Sequence, residues 1–133
     1  CYEGSVVAYF RNNMEFGDRS LGCRSILADP RFINNKDKIN KMVKYREEYR
    51  PFAPSVLSEE VNKYFKVDAA FKNNYMERVV KVRDKYRKKL QATTHYDGSA
   101  RVQTVSKELN FDFYKILQEF KKLSGLPILL NTS

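Results

Sequence analysis

The chain has 133 residues, with 25 Lys and Arg against 16 Asp and Glu, for a formal net charge of +9. A hydrophobic share of 42% with five Gly and four Pro is ordinary globular composition, which excludes a disordered tail, collagen and low-complexity sequence. The length fits one domain, and nine Phe and nine Tyr can build a core without disulfides.

In chain order, residues 6–10 form a short apolar, β-rich run that predicts a strand covered on both faces. Residues 12–24 are polar and glycine-punctuated, which predicts a loop. Residues 25–28 predict a second strand, closed by the Asp29-Pro30 turn signal. In residues 37–45, Ile39, Met42 and Val43 fall at i, i+3 and i+4, the one-sided pattern of a helix that must end before Pro51. Residues 52–57 read as extended, interrupted by Pro54. Ser58 then has the character of an N-cap for a short helix over 59–65, and 66–74 read as loop. Residues 76–82 predict a strand, whereas 83–90 are compatible with its extension or with a helix. Residues 100–105 predict a further strand. Phe113, Ile116, Leu117, Phe120 and Leu123 have helical periodicity up to Gly125, and 126–130 predict a second buried strand. The order implies an α/β (α+β) fold, an open, twisted mixed sheet flanked by helices.

The two longest apolar runs have five residues each, far below the ~20 of a transmembrane helix. The start, Cys1-Tyr2-Glu3-Gly4, has neither an initiator Met nor a basic and apolar leader, so the chain reads as a piece of a longer polypeptide. Cys1 and Cys23 are too few for a disulfide framework and, with His95 as the single histidine, cannot complete a four-ligand zinc site. A cytoplasmic setting and no metal of its own are expected. The basic charge predicts an acidic partner, although the lysine-rich runs at 36–44 and 81–89 read as solvated faces.

Gly17 and Gly22 have the spacing of a P-loop's glycines, but Cys23 and Arg24 stand where its Lys and Ser/Thr are required. A phosphate site must therefore be built from side-chain cations. Arg19 lies between those glycines, Arg46 and Arg50 bracket 47–49 ahead of Pro51, and Arg101 follows Asp97-Gly98-Ser99. For any one of them a surface ion pair competes equally with a phosphate contact; four in turn-rich contexts favour phosphate. His95 has no G-x-S-x-G partner for a hydrolytic triad, and Cys23 reads as a packed thiol.

Residues 14–31, MEFGDRSLGCRSILADPR, resemble the MEFGPRALGNRSILADPR signature of the nodulation-type and antibiotic O-carbamoyltransferases. Matches continue through KDKIN at 36–40, VKYRE at 43–47, RPFAPS at 50–55, THYDGSARVQ at 94–103 and PILLNTS at 127–133, leaving mainly 66–93 uncovered. The resemblance implies a C-terminal YrdC-like domain that binds ATP, with its Mg2+, and carbamoyl phosphate and forms carbamoyl-adenylate. An N-terminal actin-like domain of the same polypeptide would hold the hydroxyl acceptor and a transition metal. It also implies that Lys44 and Arg46 supply the first half of a K-x-R…S-x-N nucleotide pattern and Ser133 its serine, with Arg19, Arg50 and Arg101 on the phosphate side. His95 and Asp97 would bind substrate or shape its loop, and Lys44, Arg50 and Arg101 would be catalytic. Asp18 replaces the usual Pro, Asn13 a usual Arg and Cys23 a usual Asn, so a carboxylate stands beside the anion site. The rival readings are a basic RNA-binding module and a scaffold domain without nucleotide.

Overall fold

The computed structural model describes residues 1–11, 15, 17–44 and 50–133, with backbone alone at 43 and 44. Its main sheet contains β1 (Val7–Phe10), β2 (Arg24–Ala28), β3 (Ala53–Leu57), β6 (Gln103–Val105) and β7 (Ile128–Thr132). Their order is β1-β2-β7-β3-β6. Only β3 and β6 run parallel; the other neighbours are antiparallel. A small antiparallel ladder pairs β4 (Val80–Lys81) with β5 (Ser99–Ala100). The helices are α1 (Ile33–Ile39), which continues as a π-helical segment (Asn40–Lys44), α2 (Val61–Tyr64) behind a 3-10 turn (Ser58–Glu60), and α3 (Phe111–Ser124). The result is the expected mixed sheet flanked by helices.

Every residue of β7 is buried, as its run of apolar residues implies for a strand covered on both faces. On one side Phe113, Leu117 and Phe120 of α3 pack with Val56, Leu57, Ile128 and Leu129. Each such fully buried side chain contributes about 1.5–3 kcal/mol relative to exposure. A second cluster unites Ile39 of α1 with Ala28, Phe52, Ala92 and Leu130. Asn110 caps α3 by accepting the Phe113 N–H (3.1 Å), and the helix ends at Gly125.

Five local expectations are corrected. The 6–10 run is an edge strand, not one covered on both faces: β1 has β2 as its single neighbour, leaving Val7 40% and Phe10 73% exposed. In the 37–45 pattern the helix begins earlier, at Ile33, and the switch to π-helical winding at Asn40 shifts the phase so that Met42 is 73% exposed. Ser58 does not cap: β3 runs to Leu57, so Ser58 is itself the first residue of the turn, and its hydroxyl is buried without a partner among the described residues. Of 76–82 only Val80–Lys81 is strand, because Asn73 Oδ1 accepts the Glu77 and Arg78 N–H groups and folds the chain into a turn with Met76 at φ 56°. The 100–105 run is split between two sheets, and Arg101 lies in the break.

Candidate functional site

Three strands, β2, β3 and β6, begin at one end of the main sheet, and two, β1 and β7, end there. Ala53 at the start of β3 lies opposite Asn131, Ile26 of β2 opposite Thr132, and Ser55 opposite Gln103 at the start of β6. The segment entering β2, residues 17–23, runs over the same end. A cavity of about 390 Å³ opens there, lined by Asp18, Arg19, Ser20, Pro51, Phe52, Ala53, Met76, Arg101 and Asn131 to Ser133. A second, of about 370 Å³, is lined by Arg50, Pro51, Phe52, Ala53, Val79, His95 and Arg101. Pro51, Phe52, Ala53 and Arg101 belong to both, so the two are lobes of one cleft with Arg101 between them. Each lobe lies in the size range of small-molecule sites.

The floor of the first lobe is a buried polar network. Asn131 Nδ2 lies 3.1 Å from Ser20 O and 3.0 Å from both Ser55 Oγ and Gln103 Oε1. Ser55 Oγ donates to Gln103 Oε1 (2.6 Å), and Gln103 Nε2 donates to Leu21 O (2.9 Å). These bonds tie the Arg19-bearing loop to β3, β6 and β7 at once. The loop is also anchored by Glu15, whose carboxylate accepts the N–H groups of Leu21, Cys23 and Arg24. Burial pushes the Glu15 pKa up, but these backbone donors outweigh it and hold the carboxyl below its ordinary value. Burial and the Glu15 charge raise the Cys23 thiol, which is therefore protonated at neutral pH and a poor nucleophile.

The second lobe depends on the turn at 95–98. His95 N–H donates to Ser99 O (2.7 Å) and Gly98 N–H to His95 O (2.9 Å). Asp97 lies outside both lobes. Its Oδ1 accepts Ser99 N–H (3.0 Å) and Ser99 Oγ–H (2.5 Å), its Oδ2 accepts Lys81 Nζ (2.9 Å), and these donors hold its carboxyl well below the usual range. Asp97 thus builds the turn that presents His95. Burial lowers the His95 pKa, Asp97 opposes this, and Arg101 lowers it further, so the imidazole is neutral at pH 7.

Of the residues singled out in the sequence, Arg19, Arg101 and Ser133 line one lobe, and Arg50, His95 and Arg101 the other. Arg46 and the side chain of Lys44 lie outside the described residues. Asp29 and Arg31, at the end of the 14–31 signature, serve the fold: buried Asp29 accepts Arg31 Nε (3.0 Å) and Nη2 (2.7 Å), and the guanidinium lies over Tyr2 and Phe32. Sequence reasoning missed Glu15, Met76 and Asn131. For Asn131 the signal was its place in PILLNTS, beside Ser133; Met76 lies in 66–93, where no pattern pointed to it.

The whole chain, residues 1–133, matches the family described as carbamoyltransferase C-terminus. The chain belongs to the carbamoyltransferase C-terminus family. It is 51% identical over 132 residues to the nodulation protein NolNO of Sinorhizobium fredii, covering 98% of this chain and 19% of that protein. It is 50% identical over 131 residues to nodulation protein NolO of Bradyrhizobium diazoefficiens, covering 98% of this chain and 24% of that protein. The 3'-hydroxymethylcephem-O-carbamoyltransferase of Amycolatopsis lactamdurans is 41% identical over 130 residues, again 98% of this chain and 24% of the relative. The family domain thus spans about a fifth to a quarter of the length of these proteins. Among the described residues no helix is long and apolar enough to cross a membrane.

Proposed function

We propose that residues 1–133 act as one domain whose cleft binds ATP and carbamoyl phosphate and forms carbamoyl-adenylate, which an N-terminal actin-like domain of the same polypeptide passes to a hydroxyl acceptor. The observation that supports this reading is the distribution of cations: Arg19 in one lobe, Arg50 in the other, and Arg101 shared by both. Water releases phosphate from carbamoyl phosphate to leave carbamate. A carbamate oxygen then attacks the α-phosphorus of ATP, the bond to the β-phosphate bridging oxygen breaks, and pyrophosphate departs. Negative charge grows on phosphate oxygens throughout, so fixed guanidinium groups at the two lobes stabilise the transition state without a covalent nucleophile.

In this reading Arg50 and Arg101, with Lys44, carry the catalytic electrostatics. Arg19 and Ser133 hold one phosphate group, and Arg46 and His95 contribute on the nucleotide side. Mg2+ enters bound to ATP, and a transition metal belongs to the N-terminal domain. The lysine-rich face fits an RNA partner less well, since Lys81 is engaged by Asp97 and Arg87 by Asp84 (2.9 and 2.8 Å).

Calorimetric titration with Mg-ATP and with carbamoyl phosphate, together with exchange of labelled pyrophosphate into ATP, tests the assignment. Each charge-assisted phosphate contact contributes about 1.5–3 kcal/mol, roughly 10- to 150-fold in affinity. Arg101→Ala should weaken both ligands by such factors, whereas Arg19→Ala and Arg50→Ala should each weaken chiefly one. Wild-type protein that binds neither ligand, or Arg101→Ala that changes neither affinity, overturns the reading.

A further inference from the structure

The floor of the first lobe contains a buried acceptor with no donor among the described residues. The orientation of the Asn131 amide follows from its neighbours: Ser20 O is a carbonyl and can only accept, so the atom 3.1 Å from it is Nδ2. Gln103 is oriented by the same logic, since its Nε2 must face Leu21 O, which turns Oε1 toward Asn131 and Ser55. Nδ2 is therefore spent on protein acceptors. Asn131 Oδ1 is buried and has no hydrogen-bond partner among the described residues. Asn131 as a whole is only 2% exposed, yet it lines the same lobe as Arg19, Arg101 and Ser133.

A buried acceptor left unmet is costly, and the cost disappears when a ligand brings a donor. The arginines of this lobe call for an anion; Oδ1 calls for an N–H on the same ligand, close to the anionic group. We infer that Asn131 is a specificity-determining residue whose Oδ1 accepts a hydrogen bond from the amino group of a carbamoyl ligand seated in the Arg19 and Arg101 lobe. This deepens the proposed function and rests on its assignment of carbamoyl phosphate to the cleft. In carbamoyl phosphate the amino nitrogen is separated from phosphorus only by the carbonyl carbon and the bridging oxygen. The adenine amino group of ATP is separated from its phosphates by the whole ribose, so it cannot meet both demands of one small lobe. An analogue with a methyl group in place of the amino group leaves Oδ1 unmet, and a site built around such an acceptor rejects it.

Competition titrations of carbamoyl phosphate and acetyl phosphate, which differ by amino against methyl, test this. The wild-type protein should bind carbamoyl phosphate roughly tenfold or more tightly than acetyl phosphate, one buried hydrogen bond's worth. Asn131→Ser should bring the ratio near one while acetyl phosphate affinity is largely kept. Asp18 also lines the lobe, and Asp18→Asn should leave the ratio unchanged. Equal wild-type affinities, a preference that survives Asn131→Ser, a preference lost in Asp18→Asn, or an Asn131 effect confined to ATP each overturn the inference while leaving phosphate binding intact. The wild-type ratio decides even if Asn131→Ser does not fold. Absence of binding by either ligand removes the proposed function and this inference together.

Discussion

Substituting Gly22 by Ala separates two costs in the loop that presents Arg19. Gly22 adopts φ +103°, and a Cβ built there would lie 2.3 Å from Phe113 Cδ1, 2.6 Å from Cγ and 3.0 Å from Asn110 Nδ2. Phe113 is fully buried against the sheet and Asn110 caps α3, so neither can move without disturbing the core or the helix start. Backbone strain contributes about 1–3 kcal/mol and overpacking against the ring about 1–3 kcal/mol more. The sum, about 2–6 kcal/mol, is a large part of a typical domain's 5–15 kcal/mol. Gly17 supplies the control: its φ is +112°, yet nothing lies within 4 Å of a Cβ there, so Gly17→Ala should cost the backbone share alone. Urea unfolding of both variants, with unchanged slopes, measures the difference. Phe113→Leu in the Gly22→Ala background should recover part of it, as a double-mutant cycle would show. Equal costs at the two glycines, or strict additivity with Phe113→Leu, would refute the reasoning.

Asp18→Asn removes the carboxylate from the Arg19 lobe and should raise phosphate affinity up to about fivefold, since an exposed pair is worth at most about 1 kcal/mol; the gain should shrink in high salt. His95 binds fewer protons folded than unfolded because its pKa is depressed below the ordinary 6.5, so its contribution to stability is whole above 6.5 and declines as pH falls through the lower folded value. An anion in its lobe offsets the field of Arg101, so binding just below neutral pH should take up protons; calorimetry in buffers of different ionisation enthalpy should show the uptake, and His95→Gln should abolish it. Glu15→Gln should destabilise by about 1 kcal/mol, discounted because the carboxyl is partly exposed. In the wild type the Glu15 contribution is present above its ordinary 4.5 and is lost as pH falls through its lower folded value, so thermal midpoints of the two proteins should converge in acid.

Elements whose burial matches their local pattern were legible in the sequence. The periodicity of α3 places Phe113, Leu117 and Phe120 inward, and the apolar run around 126–130 appears as the central strand β7, shifted by two residues. The edge position of β1 was not legible, because a run of five apolar residues has no mark of how many neighbours its strand will have. The π-helical turn at Asn40 was invisible for a related reason, since the shift in winding that exposes Met42 breaks the very period from which a helix is read. At the site, cations could be selected by residue type and turn context, which is how Arg19, Arg50 and Arg101 emerged. Asn131 and Glu15 did not emerge this way: beyond the place of Asn131 in PILLNTS, an Asn inside an apolar strand and a Glu before a loop become significant only when their partners are known, the Ser20 carbonyl and the Ser55 and Gln103 side chains for one, the backbone N–H groups of Leu21, Cys23 and Arg24 for the other.

The break between β5 and β6 shows how the fold turns strand-forming sequence into a site. Residues 100–105 have a pattern that would support one continuous strand, but Ala100 pairs with Val80 in the small ladder while Gln103 pairs with Ser55 in the main sheet. Between them Val102 is fully buried and its carbonyl accepts Asn73 Nδ2 (2.8 Å), which fixes the crossing point. Arg101, one residue earlier, is thereby set at the boundary of two sheets and between two lobes, outside either ladder. Sheet registers, and not a flexible loop, hold its backbone, so the shared cation is positioned by the same hydrogen bonds that hold the fold. Under the proposed function, a single charge placed this way would serve both lobes with no reorganisation of the chain, which is the condition under which fixed guanidinium groups lower a phosphoryl-transfer barrier most effectively.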